Sequence, residues 1–173
     1  KQLAFRFVAG DGLPDVVLAD ERRLRQVLLN LLGNAIKFTD DGSVSLSASA
    51  EATGPAQVLL RLDIEDTGVG MRPEDLDKIF RPFEQVGDLQ RRSGGTGLGL
   101  AITRALVKDM GGQVHVRSEL GQGSRFRLEL PLPLAAPAPP VSRKAPAIPR
   151  YQGPVKRILV VDDVAANRAL MSD

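Results

Sequence analysis

Cysteine and tryptophan are absent from the 173 residues, and histidine occurs once, at position 115. Without cysteine there is no disulfide framework, no thiolate nucleophile and no thiolate metal site. One histidine excludes a multi-histidine zinc centre within the chain. No apolar run approaches the ~20 residues of a membrane helix, so no membrane segment is expected. Aromatics make up 4%, and neither sign of charge dominates: 23 Lys and Arg face 21 Asp and Glu, for a formal charge of +2. No basic tract with interleaved aromatics occurs, which argues against a nucleic-acid partner.

What is present is the composition of a globular protein, with 43% hydrophobic and 25% charged residues. A domain of roughly 150 residues buries about 68–70% of the surface its unfolded chain exposes, enough for a core. Proline is unevenly spread. Of 12 prolines, 8 fall between Pro131 and Pro154, mixed with alanine. Such a stretch predicts a semi-rigid, extended linker, unable to form a helix or a central strand. The expected organisation is one domain over residues 1–133, a linker over 134–155 and the opening of another domain over 156–173. Lys1 enters an alternating stretch directly, with no Met or cap before it, as expected of a piece of something longer.

Periodicity gives a coarse plan of the first domain. Residues 3–9 alternate as a strand. Asp20 is placed to cap a helix from Glu21 to about Phe38. Strands are predicted at Ser43–Ala50 and Gln57–Glu65, the latter with Val58, Leu60, Leu62 and Ile64 on one face. Pro73 opens a helix ending before Pro82. Another helix is predicted from Leu98 to Met110, stopped by Gly111-Gly112. Strands at Gln113–Ser118 and Ser124–Leu130 are joined by Gly121-Gln122-Gly123. The fold class is therefore α+β, a two-layer sandwich with helices on one face of a mixed, largely antiparallel sheet.

Three motifs carry chemistry. In the first helix, Leu24, Val27, Leu28, Leu31, Leu32, Ala35 and Ile36 share one arc at roughly 100° per residue. Asn30, Asn34 and Lys37 form a second cluster about 60° wide, centred roughly 140° away. Carboxamides offer a carbonyl oxygen to a hard cation and N–H donors to phosphate oxygens. Lysine adds a point charge for phosphate. The second motif, Asp66-Thr67-Gly68-Val69-Gly70, follows a strand. Its glycines permit close approach of a flat ligand, and its carboxylate can accept from an exocyclic amine, favouring adenine. The third, Gly94-Gly95-Thr96-Gly97-Leu98-Gly99-Leu100, opens a helix. Free N–H groups and the positive end of the helix dipole point there at an anion. Neither the Walker loop nor the dinucleotide fingerprint fits its spacing. A polar stretch from Val86 to Ser93, containing Arg91 and Arg92, is predicted to close over phosphates as a lid.

The segment Leu24–Thr39 (LRQVLLNLLGNAIKFT) resembles the N box of the sensor histidine kinases. Asp66–Gly70 resembles their G1 box, Ile79–Phe83 the F box and Gly94–Leu100 the G2 box, all in order and spacing. Glu84-Gln85 after the F box is closer to the hybrid kinases. The resemblance implies an ATP-binding catalytic domain with the Bergerat-type sandwich shared with gyrase, Hsp90 and MutL ATPases. It implies that Asn34 coordinates Mg²⁺, that Asn30 and Lys37 contact the phosphates as catalytic residues, and that Asp66 binds the adenine amine. It implies nucleotide contacts from Gly68, Gly70 and Phe80, a phosphate loop of Gly95, Thr96, Gly97, Leu98 and Gly99, and lid contacts from Arg91 and Arg92.

In related hydrolysing ATPases a Glu stands one turn before the metal-binding Asn; here that place is Asn30. A carboxamide is no general base, which suits delivery of phosphate to a protein instead of water. The run Lys156–Asp163 followed by Asn167-Arg168 resembles the first strand and helix of a receiver domain, with Asp162 and Asp163 at its Mg²⁺ site. The expected partners are therefore ATP, a His-bearing dimerisation domain upstream and a receiver domain, in the cytoplasm. His115 falls in an alternating strand and is expected to be structural. Phosphoryl transfer from ATP·Mg²⁺ to a His outside the chain is the expected function. A gyrase/MutL-type ATPase and a non-catalytic nucleotide-sensing module are the alternatives. The run 157–161 is expected to dock on a neighbouring surface or to lack order.

Overall fold

A computed structural model describes residues 1–10, 12–86 and 96–135. Five strands, β1 (Leu3–Ala9), β2 (Gly42–Gly54), β3 (Gln57–Asp66), β4 (Gln113–Glu119) and β5 (Gly123–Pro133), form one sheet in the order β1-β2-β3-β5-β4. The β1–β2 pair is parallel and the other pairs are antiparallel. Among the described residues three helices accompany it: α1 (Glu21–Phe38), α2 (Pro73–Leu76) and α3 (Gly99–Asp109). This is the mixed α+β arrangement that the periodicity predicts.

Alternation builds the core. Register sets Val58, Leu60, Leu62 and Ile64 of β3 beside Leu132, Leu130, Leu128 and Phe126 of β5. All eight are buried, together with Val27, Leu31 and Ala35 of α1 and Val107 of α3. The intervening residues carry charge on the other face of the sheet. There Arg61 bridges Glu51 and Glu129, and Arg127 grips Asp63 through two hydrogen bonds of 2.9 and 3.2 Å. Arg125 pairs with both Asp63 and Glu65. One face is thus oily and covered, the other ionic.

Local signals explain most boundaries. The Asp20 side chain accepts from the Arg23 amide at 3.0 Å and starts α1. Three boundaries differ from expectation by more than a residue. β2 continues past Ala50 to Gly54 because β3 pairs with it that far. The helix at Pro73 is a single turn, ending at Leu76 and followed by turns. β5 runs through Pro131 to Pro133, past the expected end at Leu130. β4 begins at Gln113, opposite Glu129. On that side of β5 no ladder donor is needed beyond this point, so proline is tolerated. Ile36, assigned to the apolar arc of α1, is 48% exposed. From residue 136 onward the linker, and the 156–173 segment with its 157–161 run, lie outside the described residues.

Leu128 is fully buried on the interior strand β5. Leu128→Ala should cost about 3 kcal/mol through lost burial and a residual cavity, read as a lower urea midpoint at unchanged slope.

Candidate functional site

Helix α1 carries the amide stripe, with Asn30 and Asn34 half-buried and Lys37 exposed. Asn30 is held by α3: its Nδ2 donates to Thr103 Oγ1 at 2.7 Å, and Thr103 is buried. A Cβ on Gly99 would collide with the Asn30 carboxamide. Glycine at that position lets the first turn of α3 lie directly on α1. The strictly buried positions of α1, centred on Leu31, therefore lie closer to the amide stripe than the apolar arc predicts. Lys37 extends over the Phe38 ring, 5.1 Å from its centroid.

The start of α3 is bare. Leu98 occupies the cap position without a side-chain cap bond, although its own amide reaches Thr96 Oγ1 at 3.4 Å. Uncapped N–H groups and the helix dipole favour an anion here. The preceding Gly97 has φ +71°, and its carbonyl accepts from the Phe83 amide at 3.0 Å. Phe83 is itself left-handed (φ 64°) and 73% exposed. Any Cβ on Gly97 would press on the Phe83 backbone. The F-box segment and the glycine loop thus sit back to back. Phe80 is half-buried against the core, with the Arg104 guanidinium 5.4 Å from its ring centroid.

At the other end of α1 lies Asp66, the last residue of β3, 9% exposed. The Gly68 amide donates to its Oδ1 at 2.9 Å, and the Ser124 amide also donates to the carboxylate. Burial nevertheless pushes its pKa above the ordinary carboxylate value, against those two hydrogen bonds. Gly68 abuts the Phe38 carbonyl, which accepts from the Val69 amide at 3.3 Å. Gly70 (φ +63°) has its Cα side filled by the Glu119 carbonyl.

The β4–β5 turn supplies a support that sequence reasoning took for a plain joint. Gly121 donates to the Val69 carbonyl at 2.7 Å, and Ser118 Oγ accepts from the Met71 amide at 2.8 Å. Ser118 Oγ also donates to the Gly123 carbonyl at 2.8 Å. Gly123 packs on the Asp66 carbonyl where no Cβ would fit. The signal was the G-x-G spacing of Gly121 and Gly123, which both need positive φ.

The structure therefore flanks one helix with two glycine-containing segments. Gly99 meets α1 at Asn30, and Gly68 and Val69 meet it at Phe38, eight residues or about 12 Å along the axis. Asn34 lies midway on the same stripe. Thr96, Gly97, Leu98 and Gly99 belong to the Asn30 end, and Asp66, Gly68 and Gly70 to the Phe38 end. Arg91, Arg92 and Gly95 lie outside the described residues. The described surface includes depressions of about 440 and 290 Å³. The first is lined by Asp66 with Ser43, Arg117, Ser118 and Arg125; the second adjoins Asp40, Thr67, Gly68 and Val69. Asn30, Asn34 and Gly97 line neither. Among the described residues no cluster of three His, Asp or Glu could hold a metal. A hard cation at Asn34 would depend on the amide oxygen together with oxygens of the ligand itself.

Residues 19–134 match the family described as histidine kinase-, DNA gyrase B- and HSP90-like ATPase. Among curated relatives, sensor histidine kinase AruS of Pseudomonas aeruginosa is 45% identical, covering 86% of this chain and 14% of its own length. Hybrid signal transduction histidine kinase B of Dictyostelium discoideum is 42% identical over 69% of this chain and 6% of its own. The chain thus spans under a fifth of the length of these relatives. Among solved structures, full-length ShkA in complex with AMPPNP superposes with a TM-score of 0.65 at 44% identity, over 78% of this chain and 27% of that one.

The raised pKa of Asp66 has a consequence for stability. The folded chain holds that proton more tightly than the unfolded chain. Its contribution is fully present below the ordinary carboxylate value and declines as pH rises from there through the raised pKa. Asp66→Asn should remove that decline, visible when urea midpoints are measured across the acidic range.

Proposed function

The chain belongs to the histidine kinase-, DNA gyrase B- and HSP90-like ATPase family and carries the catalytic ATPase domain of sensor histidine kinases. We propose that it serves a hybrid sensor kinase, binding ATP with Mg²⁺ and passing the γ-phosphoryl group to a His on a separate dimerisation domain. The observation that carries this reading is the amide stripe of α1, flanked by Asp66 at one end and by the bare start of α3 at the other.

Asp66 orients the adenine by accepting from its exocyclic amine. Gly68, Gly70 and Phe80 give the base its close walls. Asn30 and Lys37 hold phosphate oxygens, and the amides of Gly95–Gly99 with the α3 dipole offset their charge. Arg91 and Arg92, outside the described residues, are assigned to the phosphates as further cations. The Asn34 carbonyl would hold a magnesium ion, which would supply charge neutralisation to the triphosphate. Transfer then depends on positioning and electrostatics, not on a base supplied by this domain. Asn30 supports transfer over hydrolysis, because its carboxamide cannot deprotonate water.

The same reading assigns residues 1–133 to the catalytic domain, 134–155 to a tether and 156–173 to the start of a receiver, with Asp162 and Asp163 in its acidic site. The name of the hybrid relative supports that last assignment. Among the described residues no helix is long and apolar enough to cross a membrane, and we place this portion of the kinase in the cytoplasm.

Calorimetric titration with ATP, with and without magnesium, tests the site. Asn34→Ala should weaken magnesium-dependent binding about tenfold or more, since even outer partners of a metal site cost that much. Asp66→Asn should erode the preference for ATP over GTP. Unchanged titrations for both variants would defeat the reading. With labelled ATP the chain alone should carry no label, and steady phosphate release would move the assignment to a hydrolysing ATPase.

A further inference from the structure

The C-terminal end of α1 is closed from an unexpected direction. A helix leaves its last four carbonyls without intrahelical donors. Here each of the four has one. Thr39 takes Ala35 through its amide at 3.1 Å and its hydroxyl at 2.7 Å. The Val69 amide takes Phe38 at 3.3 Å. Between them, Lys1 Nζ donates to the carbonyls of Ile36 at 3.2 Å and Lys37 at 2.7 Å. The same ammonium also donates to Thr39 O at 2.9 Å and pairs with Asp40 at 3.2 Å.

Four oxygen partners for one ammonium is an unusual commitment for a residue whose side chain is 39% exposed. A solvated lysine keeps its rotamer freedom, and fixing it has an entropic cost. The charge lies at the negative end of the α1 dipole, where a cation is favoured. The geometry also joins two remote segments. Lys1 stands two residues before β1, the parallel edge strand, whereas Ile36 to Asp40 span the end of α1 and the turn that leaves it towards β2. That turn also receives the Gly68–Val69 backbone beside Asp66.

We propose that Lys1 is a positioning residue for the nucleotide site. Its ammonium fixes the end of α1 against the Asp66–Gly70 turn, and so couples the backbone entering β1 to the pocket that receives the base. Moving the chain at Lys1 would release the Ile36 and Lys37 carbonyls and loosen the Phe38–Val69 contact. The proposal rests on the nucleotide reading above and adds a point at which that site can be regulated from outside.

The test compares Lys1→Met and Lys1→Arg in the full chain, using Mg·AMPPNP titration and amide hydrogen exchange. Lys1→Met should weaken Mg·AMPPNP about fivefold and speed exchange at the Val69 and Thr39 amides by a similar factor. Lys1→Arg keeps the charge and the donors, and should restore both. Unchanged affinity and unchanged Val69 protection in Lys1→Met would overturn the proposal. Equal loss of protection throughout β5 would overturn it too, since Lys1 would then be only a general stabiliser. If the unmodified chain bound no nucleotide, the functional reading would fail. The Val69 comparison would still decide whether the clamp exists.

Discussion

Backbone laid directly on helix α1 is the constraint from which the site follows. Gly99 meets the Asn30 carboxamide and Gly68 meets the Phe38 carbonyl, each at a separation that excludes a Cβ. Side chains between these surfaces would push α3 and the Asp66–Gly70 turn outward. The stripe of Asn30, Asn34 and Lys37 would then lose the two glycine-containing segments that flank it. Glycine in these positions weakens the local chain, by roughly 0.5–1 kcal/mol where it replaces alanine in a helix. The core of β3, β5 and α1 offsets that cost.

The two ends have opposite electrical character. At Asp66 a buried carboxylate is satisfied by two backbone amides yet remains harder to ionise than in water. At α3 an uncapped helix start offers positive potential. A ligand lying along α1 would present a hydrogen-bond donor to the first and negative charge to the second. An adenine nucleotide has that polarity along its length. The supports behind each end differ as well: Thr103 holds Asn30, whereas the β4–β5 turn holds Val69 and Met71 through Gly121 and Ser118.

The long elements were legible in the sequence because each carries an uninterrupted period. Val58 to Ile64 alternate, and Val27, Leu31 and Ala35 recur at helical spacing. The short helix after Pro73 was overextended, since a favourable first residue says nothing about where later turns lose their partners. The last strand was expected to end at Leu130, before Pro131, because proline content is a local signal. Whether a strand tolerates proline depends on how far its neighbour reaches, and here β4 begins only at Gln113, opposite Glu129. The stripe on α1 was legible because periodicity places its members together. The grip of Ser118 and Gly123 on the Asp66–Gly70 turn was not, because it joins segments about fifty residues apart that only the sheet brings together.

The ionic lattice on the outer side of the sheet settles how this domain can meet neighbours. Arg61, Asp63, Arg125 and Arg127 form interlocked pairs there. Burying them beneath another sheet would strip water from several ions at once, a loss that attraction between them recovers only with near-perfect geometry. That side therefore repels stacking. Contact with another body is left to the helical side and to the rims, which gives a small, two-layered unit a built-in orientation within any larger assembly.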